Sequence, residues 1–390
     1  MNRSATELLR RRDIGLPLRD LTVSNPVGIL PEFPSSLLTE ASDRYLRHRV
    51  YDPDPQGMPA ARMAISEWYR ESHGINVPVE RVIITASTSE SYGILLQVLT
   101  RPGDVLIVPT PSYPLIDEFA AVRGVQLRGF PLRLASQATS PLWPTSLCQT
   151  DWEYNPGNLE GYIDSSVRGL LIVSPNNPTG SLFGKEHVSR TLSALTRSSE
   201  RLPLVIDEVF SGFIYEGTLC GHRIAYQSDH PLILLNGISK NFALPDLKVG
   251  WIVLNEPAWS LYGEQLVYAN DLLLSCSTLN QSLLPSILGA GFGHTTDLRK
   301  ALAQRRDDHL EVFRSFPRVR WSSPSGGWSL LLEFDEFYRD DEELAYQAAT
   351  RGIALHPGYF YNMSIRGCYG IISMLSDSVD VRDALTELIP

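Results

Sequence analysis

Lys240 stands where an apolar run stops. Leu232-Ile233-Leu234-Leu235 reads as a buried strand and Val249 to Leu254 as another, which predicts a loop position for the lysine at a strand's carboxyl end. Open α/β sheets bind ligands at that edge. A partly desolvated lysine there can have its pKa lowered enough to act as an amine nucleophile and form a Schiff base with a carbonyl. Four other places carry chemistry. Asp207 ends the apolar run that starts at Pro203, and a carboxylate after a buried run needs a partner. Ser87, Thr88 and Ser89 open a predicted helix running through Leu99, and a helix N-terminus with free N–H groups and a positive dipole end suits a phosphate. Asn177 precedes Pro178 in a turn, and Tyr113 follows the predicted strand Asp104 to Pro109. Taken alone, each has a plainer reading: a solvated lysine, a helix cap, a turn asparagine, a strand-end tyrosine.

The elements that must position these residues alternate. Short β-branched or aliphatic runs at Val82 to Thr85, Asp104 to Pro109, Gly169 to Val173, Pro203 to Ile206 and Leu232 to Leu235 alternate with helical segments, such as the one through Leu99 after the first run, and a helical pattern at Ala60 to Ser72 precedes them. Ligand-type residues fall repeatedly at strand ends, which predicts an α/β large domain with a mostly parallel sheet. Pro257 to Leu274 and Asp297 to Phe313 read as helices; residues 1 to about 45, with Pro26, Pro31 and Pro34, read as an arm and a loop. Gln137 to Leu159 reads as an irregular surface excursion. The expected division is a large domain over 46–274, with 1–45 and 275–390 forming the N-terminal arm and a smaller α+β domain.

In combination the motifs resemble the class I/II aminotransferases, the fold type I enzymes that use pyridoxal 5'-phosphate. The resemblance rests on Ser239-Lys240, the Pro245-x-Leu247 turn, Gly250-Trp251, Ser174-Pro175-Asn176-Asn177-Pro178-Thr179-Gly180, Asp207-Glu208 and His356-Pro357-Gly358-Tyr359-Phe360, in family order over nearly the whole chain. It implies a seven-stranded-type sheet covered by helices and a homodimer with shared active sites. It further implies that Lys240 holds the cofactor, Asp207 pairs with the pyridine nitrogen, Asn177 bonds the phenolic oxygen and Tyr113 lies against the ring. Ser87, Thr88, Ser89, Ser239 and Lys248, with Tyr51 from the neighbouring subunit, would hold the phosphate. Lys240, Asp207 and Tyr113 are the expected catalytic residues. The freed Lys240 amine would then move the α-proton as general base. A lyase, decarboxylase or oxidase would share every cofactor residue.

Four positions depart from the family's pattern. Lys248 replaces an arginine and loses its two-pronged hydrogen bonding to phosphate. Ser87 replaces a glycine, and Phe210 replaces a tyrosine that would donate to the phenolic oxygen. Ile371, in Tyr369-Gly370-Ile371-Ile372-Ser373, occupies the place of the arginine that clamps a substrate α-carboxylate. Arg366 is an upstream cation that could reach in, or a solvated loop arginine. The expected substrate is therefore an atypical amine or amino acid, with an oxo acid or aldehyde as its counterpart, in a specialised biosynthetic pathway.

Composition narrows the classes. The 390 residues include 43% hydrophobic and 20% charged positions, enough for a large core. A formal charge of -10 argues against a nucleic-acid partner. No apolar run reaches bilayer length and no secretory leader pattern is present, so a cytoplasmic setting is expected. Cys148, Cys220, Cys276 and Cys368 have no metal-ligand spacing and read as core thiols; no metal is expected.

Overall fold

The computed structural model describes residues 2–135, 149–197, 201–274, 276–335, 337–363 and 366–389. Seven strands form the central sheet: β1 (Val82–Thr85), β2 (Val105–Thr110), β3 (Gln126–Pro131), β4 (Val167–Val173), β5 (Leu204–Asp207), β6 (Leu232–Gly237) and β7 (Gly250–Leu254). Their spatial order is β1-β7-β6-β5-β4-β2-β3, with every pair parallel except the two made by β7. The mostly parallel α/β sheet expected from the alternation is thus present.

Its strands read as continuous apolar runs because both faces are covered. Side chains alternate across a strand, so Val82, Ile84, Leu204 and Ile206 enter one apolar cluster while Ile83, Val205, Ile233 and Leu235 enter the other. The edge strand β3 gives no such signal. Gln126, Arg128 and Gly129 interrupt its apolar character, and only Phe130 is buried.

A second buried cluster, built on Leu330, Leu332, Phe334, Ile372 and Met374, marks the C-terminal part of the chain, called the small domain below. Its sheet includes His356–Pro357, Tyr369–Ser373, Ser329–Glu333 and Arg320–Ser322. Gln149–Glu153, which lies in the region predicted to be irregular, joins that sheet in parallel with Arg320–Ser322. Pairing with a strand far along the chain produces this element, and no local periodicity marks it. Residues 137–148 of that region, with Cys148, lie outside the described residues. Cys220, Cys276 and Cys368 are unpaired thiols.

Two helices occupy the segment predicted as arm and loop: Arg3–Asp13 and Ser35–Arg47. The first buries no residue, so it carries little apolar stripe to recognise; the Asn2 side chain caps it by accepting from the Ala5 amide. Between the helices, Leu21 donates to Ala354 and accepts from the Ser373 amide. These two bonds hold Thr22 to Ser24 against the small domain.

A single 37-residue helix, Thr278–Arg314, covers the predicted Asp297 to Phe313 segment and extends well before it. Leu283, Leu284 and Ile287 on its first half pack in the large-domain core, and Leu298, Leu302 and Phe313 in the small-domain core. The chain therefore passes from one core to the other inside a helix. Among the described residues, no helix is long and apolar enough to cross a membrane.

Candidate active site

The carboxyl ends of β1, β2, β4, β5 and β6 open onto one cavity of about 430 Å³. It is lined by Ser87 to Ser89, Tyr113, Asn177, Asp207, Ser239 and Lys240, all singled out in the sequence. Lys248 arrives from the other direction. Because β7 runs antiparallel to its neighbours, with Gly250 opposite both Thr85 and Gly237, the residues before it emerge at the same edge.

Lys240 lies on a one-turn helix, Ile238–Asn241, that starts directly after β6, rather than on a loop. Its Nζ donates to the Ser24 carbonyl at 3.3 Å and sits 4.8 Å from the Trp328 ring centroid. Burial, helped by the Lys248 charge, lowers its pKa to about 8. Roughly one amine in ten is then unprotonated and nucleophilic at pH 7. Behind it, Asn241 donates to Asn236 and Ser211 and accepts from the Gly212 amide at 2.8 Å, which fixes the turn. Ala243 and Lys248 both adopt left-handed backbone, with φ of 54° and 51°. Such positions in residues other than glycine cost free energy and collect at functional sites.

Asp207 is 3% exposed. Burial pushes its carboxyl up to about 6, opposed by hydrogen bonds from the Tyr92 hydroxyl at 2.6 Å and the Val209 amide at 3.0 Å. It stays mostly ionised at pH 7 and can hold a cationic ring nitrogen. The adjacent Glu208 is fully buried in a separate polar cluster. It accepts from Tyr69 at 2.5 Å and Asn236 at 3.3 Å and meets His222 Nδ1 at 2.9 Å.

Ser87 is the N-cap of the helix Thr88–Leu99 and accepts from the Glu90 amide, so its hydroxyl is engaged at the helix end. Strand β7 presses close to this turn: a Cβ on Gly250 would lie 2.6 Å from the Ser87 carbonyl carbon and 2.7 Å from the Thr88 nitrogen. The Gly-Trp pair in the sequence thus reflects a steric requirement of the turn. Asn177 Oδ1 accepts from Ser329 at 3.0 Å, which ties the cavity floor to the small domain. Phe210 lines the cavity and packs edge-on to Trp328, ring centroids 5.1 Å apart.

Tyr51 does not line this cavity; it is 80% exposed. The segment after it is anchored by Arg62, which donates to Asp54 at 2.7 Å and the Gly57 carbonyl at 2.9 Å. Ile371 does line the cavity, and Arg366 is exposed and does not. Among the described lining residues the cations are Lys240 and Lys248, and none is an arginine.

Several lining residues were not singled out in the sequence: Tyr92, Trp328, Tyr361, and Thr22 to Ser24. Tyr92 had a signal, since it follows Thr88 by one helical turn and shares its face. Tyr361, the residue just after the His356 to Phe360 motif, reaches the site: it is 6% exposed, whereas Phe360 is 39% exposed and outside the lining. The others enter only by tertiary contact. No group of His, Cys, Asp or Glu among the described residues could hold a metal.

Comparison with known proteins shows the fold and the family. A probable aminotransferase of Arabidopsis thaliana is 27% identical over 285 residues, 71% of this chain and 60% of its own length. A glutamate-pyruvate aminotransferase of Haemophilus influenzae is 24% identical over 84% of this chain and 78% of its own. An alanine aminotransferase from Pyrococcus furiosus superposes with a TM-score of 0.86 at 20% identity, covering 98% of this chain and 94% of that one, which shows the shared fold. The family profile described as aminotransferase class I and II matches residues 46–382, and the chain belongs to that family.

Proposed function

We propose that this chain is a pyridoxal 5'-phosphate-dependent aminotransferase whose amine substrate is not gripped by an α-carboxylate in the usual way. The observation that carries the first half is the convergence of Lys240, Asp207, Asn177, Tyr113 and the Ser87 to Ser89 turn on one cavity from five strand ends. That donor set suits the cofactor. Lys240, with a pKa of about 8, would meet its aldehyde, the buried Asp207 carboxylate its ring nitrogen, and the helix N-terminus at Ser87 with Ser239 and Lys248 its phosphate. When bound, the cofactor supplies an electron sink for the pair left on the substrate carbon when its C–H bond breaks. Lys240 then accepts that proton and returns one as the amino group is transferred. Asp207, kept in place by Tyr92, balances the charge of the ring nitrogen, and Tyr113 and Trp328 exclude water from the cavity.

The second half rests on Ile371. It is 2% exposed and shares with Leu331 and Tyr369 the apolar cluster on the large-domain side, while Ile372 faces the small-domain core. A buried carboxylate without a cation is costly, and Ile371 offers only hydrocarbon. A primary amine or modified amino acid, exchanged against an oxo acid or aldehyde in a specialised cytoplasmic pathway, fits such a wall. The exposed Tyr51, with exposed Tyr268 and Leu272 to Leu274, suits a homodimer in which Tyr51 reaches the partner's cavity.

The test is a panel of amines and amino acids incubated with the reconstituted enzyme. Expected are conversion of the cofactor to its amine form and release of the matching carbonyl product. Carbon dioxide, or ammonia with an unsaturated product, would move the enzyme to decarboxylation or elimination instead.

A further inference from the structure

Ile371 and His356 are directly opposite one another in the antiparallel pairing of Tyr369–Ser373 with His356–Pro357. Both line the cavity, and so does Tyr361. The His356 Nδ1 lies 3.0 Å from the Tyr361 hydroxyl. Tyr361 is fixed in turn by the Ser112 amide, which donates to its carbonyl at 3.0 Å. Where a carboxylate clamp would stand, the wall therefore presents an aliphatic residue beside a hydrogen-bonded imidazole and phenol.

The valences of that pair decide what it can recognise. A neutral imidazole carries one donor and one acceptor, and a phenol one donor and two acceptor lone pairs. If Tyr361 donates to Nδ1, a ring N–H and a phenolic lone pair are left over. If the Nδ1–H donates to Tyr361, a phenolic O–H and the Nε2 lone pair are left over. In either tautomer the pair keeps one spare donor, at least one spare acceptor and no charge. Burial holds His356 below its ordinary pKa, with the Asp20 carboxylate opposing, so the neutral imidazole is the form present at pH 7. A carboxylate, which only accepts, is a poor complement to such a pair. A hydroxyl or a primary carboxamide, which both donates and accepts, is a good one.

We infer that His356 and Tyr361 set the substrate class: the amine bound here carries, next to its amine-bearing carbon, a neutral donor–acceptor group, as in a 1,2-amino alcohol or an α-amino carboxamide. This rests on the transamination reading above. The amino group and the hydrogen of the donor carbon pass to an oxo acid or aldehyde, whose oxygen passes back. The donor becomes an α-hydroxy ketone or oxo amide and the acceptor becomes an amine.

The experiment compares L-alaninol and L-alaninamide with L-alanine, which share a side chain, on the holoenzyme. Steady-state rates and calorimetric dissociation constants are both recorded. Expected is a preference of about 10-fold or more for the neutral amines in both readouts. His356→Phe and Tyr361→Phe should each raise KM and Kd for alaninol about 10-fold while kcat stays within about 3-fold. His356→Gln, which keeps a donor and an acceptor, should recover most of the loss. Alanine binding as tightly as alaninol to the wild-type enzyme, which needs no variant, overturns the assignment; so does an alaninol affinity that moves in neither phenylalanine variant. Turnover of neither amine with the binding preference intact would instead overturn transamination and support the recognition assigned to His356 and Tyr361.

Discussion

The floor and the wall of the cavity follow different rules. The floor, contributed by the large domain, carries Lys240, Asp207, Asn177 and the Ser87 to Ser89 turn at successive strand ends, each backed by further polar contacts such as Tyr92 on Asp207 and Asn241 behind the lysine turn. The wall comes from the small domain and the N-terminal segment, and it holds Ile371, His356, Tyr361 and Thr22 to Ser24. In the resemblance drawn from the sequence, the floor departs from the family's residue types at Ser87, Lys248 and Phe210. On the function proposed above, the wall has Ile371 where the resemblance places a carboxylate-binding arginine. On the proposed function, cofactor chemistry would restrict the floor, because one aldehyde, one ring nitrogen and one phosphate would have to be met each time, whereas the wall would meet a substrate that differs between enzymes.

If that contrast is right, changes in the floor should affect every substrate alike. The largest effect belongs to Lys240→Ala, which should lower turnover of all amines by at least about 10^4-fold and remove the visible absorbance of the lysine-bound cofactor. Activity within 10-fold of wild type, measured in single-turnover assays, would break the comparison outright. Asp207→Ala comes next. It should retain some cofactor but slow proton removal by about 10^2 to 10^3-fold, read by stopped-flow absorbance with an α-deuterated donor. Unchanged rates would mean that another acid serves the ring.

Lys248→Gln should act through charge. The Lys240 pKa of about 8 is lowered first by burial and then by Lys248, so removing the Lys248 charge moves it upward. The pH dependence of apoenzyme labelling at Lys240 by an amine-selective reagent should shift to higher pH in the variant. The linkage has a definite sign. With Lys240 at about 8 in the fold and near 10.5 when unfolded, the unfolded chain binds more protons between those values. Apoenzyme stability from this group therefore rises with pH across that window and is reduced below it. In Lys248→Gln the window should narrow from its lower side, measured by denaturant titration at several pH values.

The smallest effect concerns Phe210. A tyrosine there would donate to the cofactor's phenolic oxygen and favour its deprotonated form. The spectral pH midpoint of the lysine-bound cofactor should fall in Phe210→Tyr by no more than about one unit, the worth of one net hydrogen bond. An equal or higher midpoint would place the phenyl ring away from that oxygen, consistent with its packing on Trp328.

Much of the floor is legible in the sequence because each of its residues ends or follows a buried strand, and a buried strand is a local signal. Leu232 to Leu235 before Lys240, and Leu204 to Ile206 before Asp207, are apolar because both sheet faces are covered. The edge strand Gln126–Pro131 and the helix Arg3–Asp13 bury little, so they write little into the sequence. Tyr92 could be found by its helical spacing from Thr88, but its bond to Asp207 depends on two strands meeting.

By itself the sequence determined the order of chemical motifs, the α/β alternation, the place of Lys240 just past a buried apolar run and the absence of an arginine at position 371. Those are properties of residue type and of spacing within one strand or turn. The tertiary structure decided what stands beside what. The reversed direction of β7 brings Lys248 to the same edge as Lys240, and the pairing of Leu21 with Ala354 and Ser373 carries Ser24 to the Lys240 amine. The small-domain register sets His356 opposite Ile371. Such neighbours are selected by hydrogen-bond register and core packing between distant segments, energies that exist only once the chain has closed on itself.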